Sequence, residues 1–343
     1  LSEQLGVTCT ASIGLMTIVY TCFDGHKTFT NSLALNNTGV NTSKLNQLER
    51  FVKNFPKEGV HMSGEQLHNR LDEIEQIRGL YTPFQLGLAA AFACSAFTFL
   101  LGGGPIEMLC AFIGAGVGNF LRCHLIKRHF TLYLCVISSV ALACLSYVLS
   151  LRLFDMIFTL PGNHEAGYIC AMLFIIPGFP FITSGIDLAK LDMRSGLERL
   201  AYAVIIVVAA TITGWIMSSI LGVHPANFAE LSIPPMLHLL FRLAASFVGV
   251  FGFSIMFNSP VPIASAAALI GAVANTLRLE LVELAALPAA VAAFLGALTA
   301  GLLASFLMKR LGYPRISVTV PSIVIMVAGL SLYRGVSNMG EMS

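Results

Sequence analysis

The chain has 343 residues, of which 56% are hydrophobic and only 11% are charged. Soluble domains carry about 25% charged residues, so this composition excludes an ordinary soluble protein and indicates a polytopic, all-α membrane protein. The formal net charge of +2 is divided among short basic clusters between apolar runs, which argues against a nucleic-acid partner.

The part of the chain before Pro83 looks soluble. In "MTIVYTCFDGHKTFTNSLAL", apolar and polar residues alternate on either side of Asp24-Gly25, which predicts a β-hairpin because both turn positions favour positive φ. Two amphipathic helices are predicted next, one through "SKLNQLERFVKNF" and one from Ser63 to about Arg78, with Ser63 and Gln66 forming a capping box. We therefore expect a small α+β segment over residues 1–82, called the N-terminal segment.

From Pro83 onward, nine apolar runs have roughly the length of a membrane span, about 17 to 25 residues each. They cover approximately residues 83–101, 105–121, 130–151, 166–184, 200–221, 236–257, 260–277, 284–308 and 316–333. Lys and Arg concentrate in alternate loops, although the loop "NSPV" of the same set has no basic residue. By the positive-inside rule, these loops and the N-terminal segment face the cytoplasm.

The eight cysteines show no CxxC pair and no CxxC…H spacing. Because most of them lie inside apolar runs, we predict packing thiols, no metal site and no cofactor. The five that lie in apolar runs are Cys94, Cys110, Cys135, Cys144 and Cys170.

An internal repeat links the second run to the seventh. "GAGVGNFLR" (114–122) aligns with "IGAVANTLR" (270–278) without a gap, and "PGFPFITSG" in run four resembles "AGLSLYRGV" in run nine. The paired runs are five spans apart, and an odd separation means that the two halves enter the membrane in opposite directions. We expect two inverted five-helix repeats, 83–222 and 234–343, the second without its fifth span because the chain is truncated near Ser343.

Proline and glycine interrupt the fourth run. Pro177 removes a backbone donor, Gly178 relaxes the backbone, and Pro180 is expected to repeat the break one turn later. Irregular backbone at membrane depth is tolerated where it lines a cavity, which is where transporters bind substrate and ions. The break is therefore a candidate binding site.

The motif "PGFPFITSGIDLAKLDMRSGLERL", followed by "TITGW", resembles the signature of the bacterial threonine/serine exporter family. "VPSIVIMVAGLSLYRGV" resembles the matching element of that family's second half, with Ala328-Gly329 where Pro-Gly is common. The resemblance implies ten spans in two units, a cytoplasmic segment that usually starts before Leu1, and proton-driven export of threonine, serine or, in split relatives, succinate. The family's motif positions fall on Pro177, Gly178, Pro180, Gly185, Asp187, Gly196, Arg199, Gly329, Tyr333 and Gly335.

Asp187 lies just beyond the break, where a carboxylate can carry a coupled proton or meet a substrate ammonium. The alternative is a solvated carboxylate opposite Lys190. Thr183 and Ser184, with Thr211 and Thr213, are expected to satisfy free backbone carbonyls, and substrate recognition is their second interpretation.

Arg242 lies near the start of the sixth run, with His238 one turn earlier. Arg242 could hold a substrate carboxylate and His238 could exchange a proton, but a snorkelling arginine, or one paired with Glu107, is the favoured interpretation.

Arg122 and Arg278 end equivalent spans and are interpreted first as orientation anchors. Asn119 and Asn275 lie within those spans and need a partner, which is either another helix or substrate. Glycines such as Gly114, Gly116, Gly118 and Gly296 are interpreted as close-packing faces.

An enzyme is disfavoured because GxSxG, HExxH and a second intramembrane aspartate are all missing from the sequence. A channel remains open, as does a scaffold whose activity resides in the N-terminal segment. The prediction is a proton-coupled secondary exporter in the bacterial inner membrane, contacting lipid and open to homo-oligomer formation. Its expected substrate is threonine or serine, with a dicarboxylate as the alternative.

Overall fold

A computed structural model describes residues 2, 5–35, 38–158, 164–223, 228, 233–311 and 313–327. The chain begins with an antiparallel sheet of three strands in the order β1-β2-β3. The turn between the last two strands is closed by Asp24, whose Oδ1 accepts hydrogen bonds from the amides of His26 (2.9 Å) and Lys27 (2.7 Å). The predicted hairpin is confirmed, and β1 is an additional strand. The strands are β1 Thr8–Ile13, β2 Thr17–Phe23 and β3 Thr28–Ala34.

Two helices complete this segment, α1 at Thr42–Glu58 and α2 at Gly64–Glu75. Helix α1 is capped by Asn41, whose side chain accepts from the amide of Lys44. Helix α2 starts with the predicted capping box, in which Ser63 Oγ accepts from the Gln66 amide (3.2 Å) and Gln66 Oε1 accepts from the Ser63 amide (2.9 Å). Both predicted helices are confirmed, and α2 ends a few residues before the expected Arg78.

Each of the nine apolar runs contains helix. Within the described ranges, seven helices are long and apolar enough to cross a membrane, and the fourth run is a bent pair with 59° between its halves. Its first half is a 3₁₀ helix, Glu165–Ile175, which we call the half-span. The protein is therefore an all-α polytopic membrane protein. Its other helices are α3 Pro83–Leu100, α4 Pro105–Lys127, α5 Leu132–Phe158, α6 Gly178–Ala189, α7 Met193–Leu221, α8 Pro235–Met256, α9 Val261–Glu283, α10 Ala289–Leu311 and α11 Arg315–Val324.

The helices of the second unit pack in the same order as those of the first. In the first unit, α4 packs against α3, α5 and the half-span, and the half-span also contacts α3 and α5. In the second unit, α9 packs against α8, α10 and α11, and α11 also contacts α8 and α10. This correspondence supports the duplication that the matched motifs predict.

Glycines allow the central helices of both units to approach closely. A Cβ atom on Gly114 would lie 2.8 Å from the carbonyl oxygen of Ala143, and one on Gly296 would lie 3.1 Å from that of Ala274. Such distances leave no room for a side chain, so the predicted close-packing role is confirmed for both. The five cysteines of the apolar runs are buried, as expected for packing thiols.

The face of the bundle that carries the N-terminal segment is called the segment face. Thr42 donates its amide to the Phe257 carbonyl (3.1 Å), and its hydroxyl lies 2.7 Å from Ser259 Oγ. Tyr81 donates its hydroxyl to the Ser259 carbonyl (2.7 Å), and Asn258 Oδ1 accepts from the amide of Leu80 (2.7 Å). The loop between α8 and α9, which has no basic residue, is thus covered by the segment.

Candidate functional site

The fourth span breaks at Pro177, between the half-span and α6. Gly178 donates its amide back to the carbonyl of Ile176 (2.8 Å), and Pro177 has φ −80° and ψ 63°, the geometry of an inverse γ-turn. Pro180 does not repeat the break, contrary to the sequence-based expectation. It lies in the first turn of α6, where backbone N–H groups have no helical partner to lose.

Gly178 brings the break against the second unit. A Cβ atom on Gly178 would lie 2.4 Å from Val324 Cγ2, near the end of α11, and 3.7 Å from Val327 Cγ2. Val324 and Val327 belong to the first part of the second motif, whose Gly329, Tyr333 and Gly335 lie outside the described residues. The break of the first unit therefore meets the chain at the start of the matching element of the second.

A cavity of about 610 Å³ opens beside this break, and we call it the break cavity. Pro177, Pro180 and Thr183 line it, and the half-span, α4, α7, α8, α11 and the N-terminal segment supply the rest of the lining. Most of the lining is apolar. The polar side chains that line it are Thr38, Asn41, Thr42, Arg122, Thr183, Arg199 and Tyr202.

The break cavity carries positive charge. Arg122 and Arg199 line it, and no carboxylate does among the described residues. Arg199 Nη1 donates to Asp187 Oδ2 at 2.6 Å, so its charge is compensated. Arg122 forms no ion pair with any described residue. An arginine without a carboxylate partner at an otherwise apolar cavity can bind the carboxylate of a small molecule. The first interpretation of Arg122 from the sequence is an orientation anchor.

Asp187 reaches the break cavity only through Arg199. Its side chain is 19% exposed and does not line the cavity. The alternative partner considered from sequence, Lys190, is wrong, because the carboxylate pairs with Arg199 on α7 instead. Asp187 thus orients a cavity-lining guanidinium across the turn that joins α6 to α7.

The hydroxyls after the break bond to backbone carbonyls, as sequence analysis favoured. Thr183 Oγ1 donates to the carbonyl of Phe179 (3.0 Å), and Ser184 Oγ donates to that of Phe181 (2.8 Å). Thr183 also lines the cavity. A Cβ atom on Gly185 would meet no atom within 4 Å, so this motif glycine borders open space.

Asn119 and Asn275 hold equivalent helix pairs together. Asn119 Nδ2 donates to the carbonyl of Leu86 on α3 (2.8 Å), and Asn275 Nδ2 donates to Ser246 Oγ on α8 (2.9 Å). Neither asparagine lines the break cavity. In this conformation both use their amides between helices.

Arg242 and His238 lie away from the break cavity. Arg242 Nη1 donates to Glu280 at 2.7 Å, and Nη2 pairs with Glu283. The expected pairing with Glu107 is wrong, because Glu107 Oε1 lies 2.8 Å from His164 Nδ1. The ring of His238 packs edge-on against Phe99, with centroids 5.9 Å apart.

The N-terminal segment closes one side of the break cavity. Residues 13–15 and 38–42 line it. Leu15 donates its amide to Glu198 Oε2 (2.5 Å), and Arg194 donates to Thr17 Oγ1 (3.1 Å), which anchors the sheet to the start of α7. These contacts could not be predicted from the sequence, because nothing in the local pattern specifies which helix a sheet docks on.

Two family models match the chain, one over its first part and one over its second. Residues 1–221 match the family model described as "Putative threonine/serine exporter", and residues 242–343 match "Threonine/Serine exporter, ThrE". No solved structure matches the chain.

Two curated relatives carry the same name, probable succinate transporter subunit YjjP. The protein from Klebsiella aerogenes is 24% identical over 215 residues, which is 62% of this chain and 80% of that protein. The protein from Escherichia coli K12 is 23% identical over 210 residues, 61% of this chain and 78% of that protein. Since the first family model alone covers more than half of the sequence, the chain belongs to the threonine/serine exporter family.

Proposed function

We propose that this protein is a secondary active exporter of a small polar metabolite that carries a carboxylate group, driven by the proton gradient of the bacterial inner membrane. The observation that carries the proposal is Arg122, which lines the break cavity without an acidic partner among the described residues. The cavity lies where a spanning helix is interrupted, which is the usual position of substrate sites in transporters built from repeats.

We further propose that the division into residues 1–82, 83–222 and 234–343 is functional and that the two transmembrane units are inverted. The segment contacts the loop after the sixth span through Thr42, and the loop after the eighth through Arg50, which lies 5.9 Å from the ring of Tyr313. Loops after even-numbered spans share one face when every run crosses the membrane. Their basic residues favour the cytoplasm for that face.

Threonine or serine is the first substrate candidate, since the family is described by these amino acids. In this assignment Arg122 binds the carboxylate, and Thr183, which lines the same cavity, is available to a polar side chain. The apolar lining accommodates the carbon skeleton.

A dicarboxylate is the second candidate, and a specific observation favours it. Arg199 lines the same cavity as Arg122, so a second guanidinium group meets a second carboxylate once Arg199 is released from Asp187. Both curated relatives are named as probable succinate transporter subunits.

The Asp187–Arg199 pair is the proposed site of proton coupling. The pair is partly exposed, with the Asp187 side chain 19% and the Arg199 side chain 31% accessible. Protonation of Asp187 would release Arg199 to a substrate carboxylate, and substrate release would restore the pair. Binding of one proton by Asp187 would then accompany binding of one substrate carboxylate by Arg199.

Transport into inverted vesicles tests this proposal. Labelled threonine, serine and succinate are offered to vesicles that contain the full chain, with and without a proton gradient, beside Asp187→Asn. We expect gradient-dependent accumulation of one substrate in the wild type, and loss of that accumulation in Asp187→Asn, which should at most let the substrate equilibrate across the membrane. Flux that ignores the gradient in both proteins would indicate a channel or facilitator and reject the coupling.

A further inference from the structure

Arg278 repeats the position of Arg122 in the second unit. The alignment that places Arg278 opposite Arg122 also places Val261, the start of α9, opposite Pro105, the start of α4. The two arginines therefore lie equally far along their helices, and at 1.5 Å per residue both project from a point about 26 Å from the helix start. The asparagine that precedes each arginine by one helical turn bonds to the preceding span in both units.

The surroundings of Arg278 lack a compensating charge. Its Nε is buried and has no hydrogen-bond partner among the described residues, and no described carboxylate pairs with it. The nearby acids on α9, Glu280 and Glu283, are engaged by Arg242. An unpaired donor on a permanently charged group is costly to bury, so this position favours an anion.

Arg278 also lies beside the residues of the second motif that directly precede Ala328-Gly329. A Cβ atom on Gly296 would be 3.2 Å from both Arg278 Cβ and Met326 Sδ. Met326 lies two residues before Ala328 of this motif, as Ile175 lies two residues before Pro177 in the first unit. Each arginine therefore lies near the residues that precede the matched position of its repeat, Pro177 in the first unit and Ala328 in the second.

In the proposed inverted arrangement, the two arginines lie on opposite sides of the membrane. Helix α9 begins at the loop that Thr42 and Tyr81 hold on the segment face, so a point about 26 Å further along it is near the opposite face. Arg122 lines the break cavity, which opens beside the N-terminal segment.

We propose that Arg278 forms a second carboxylate site, which receives the transported metabolite when the protein opens to the opposite face. This inference rests on the proposed function, because the ligand is the same carboxylate that Arg122 binds from the segment face. In an inverted repeat, exchange of the two units' conformations exchanges the roles of Arg122 and Arg278. The carboxylate passes from one guanidinium to the other.

Sided transport kinetics test the inference. Inverted and right-side-out vesicles expose the segment face and the opposite face respectively, and uptake of labelled threonine, serine and succinate is measured against concentration in each. We expect Arg278→Gln to raise the KM at the opposite face at least tenfold and to change it less than threefold at the segment face. Arg122→Gln is expected to give the mirror-image result.

Equal KM changes at both faces, or no change at either, would overturn the inference. If Arg278→Gln does not assemble, Arg278→Lys replaces it, because lysine keeps the charge but loses the bidentate fork. An effect of Arg278 on thermal stability that follows the phospholipid content, with KM unchanged, would assign the site to a lipid phosphate and also overturn it. Failure of the wild type to carry any of the three substrates would instead reject the proposed function.

Discussion

Replacement of Gly178 by alanine is expected to push the two units apart at the break. The new Cβ atom would lie 2.4 Å from Val324 Cγ2, whereas carbon atoms in contact are about 3.5–4.0 Å apart. Valine in a helix has essentially one χ1 rotamer, so Val324 cannot rotate away without strain. Overpacking of this kind costs about 1–3 kcal/mol.

A matched substitution in the same helix separates this clash from the effect of alanine itself. A Cβ atom on Gly185 meets nothing within 4 Å, so Gly185→Ala removes a flexible residue without a clash. It is expected to leave stability unchanged or to raise it by about 0.5–1 kcal/mol. Gly178→Ala is therefore expected to lower the unfolding temperature, whereas Gly185→Ala is expected to leave it unchanged or to raise it.

The assay is thermal unfolding of the purified protein in detergent, combined with a double-mutant cycle. Val324→Ala alone removes two buried methyl groups and should cost roughly 1.5 kcal/mol. Combined with Gly178→Ala, it should cost less than the sum of the single changes, because the clash is gone. Equal unfolding midpoints for Gly178→Ala and Gly185→Ala, or strict additivity with Val324→Ala, would refute the contact between α6 and α11.

Three further changes have defined outcomes. Arg199→Lys keeps a partner for Asp187 but loses the planar fork, so apparent affinity for the transported carboxylate should fall about tenfold in vesicle uptake, and an unchanged KM would contradict its role. Thr42→Val leaves the buried Ser259 hydroxyl without its partner and should cost about 1–3 kcal/mol, seen as faster hydrogen exchange of residues 257–259. The pKa of the Asp24 carboxyl lies below its usual value because the amides of the Lys27 and His26 positions donate to it. Its contribution to hairpin stability is therefore present above about pH 4 and lost as the pH falls through the lowered pKa. Amide exchange across β2 and β3, corrected for its intrinsic pH dependence, should show this loss in the wild type and not in Asp24→Ala.

Features that depend on local backbone chemistry could be predicted from the sequence. Asp24-Gly25 specified the hairpin, Ser63 and Gln66 specified the start of α2, and Pro177-Gly178 specified the break. In each of these, the residues that form the feature are neighbours along the chain. Pro180 was misjudged because its effect depends on where the new helix begins, which only the geometry around Pro177 determines.

Partners between helices could not be predicted. Whether Arg242 meets Glu107 or Glu280 depends on which helices are neighbours, and α8 packs on α9 rather than bringing Arg242 to the start of α4. For the same reason, the sequence did not show that Arg122 lines the break cavity. The N-terminal segment closes part of that cavity, and the local sequence does not specify the path of the segment. The repeat match at Arg122 and Arg278 was the one available signal, because a basic residue retained in both units invites a functional explanation.

The positive-inside pattern also has a structural counterpart. The loop after α8 has no basic residue and is held instead by Asn41, Thr42 and Tyr81 of the N-terminal segment. Basic side chains at this loop would meet the covering segment rather than open solvent.

We propose that Arg122 binds the carboxylate of the transported metabolite in the break cavity, and substitution of Arg122 tests this most directly. Uptake of labelled threonine, serine and succinate into inverted vesicles should be measured for Arg122→Gln, Arg122→Lys and Arg128→Gln. Arg128, at the end of the same helix, is exposed and does not line the cavity, so it controls for loss of a positive charge on that face. We expect at least a tenfold rise in KM for Arg122→Gln, an intermediate value for Arg122→Lys, and wild-type kinetics for Arg128→Gln. Wild-type kinetics in Arg122→Gln, or equal losses in Arg122→Gln and Arg128→Gln, would contradict it.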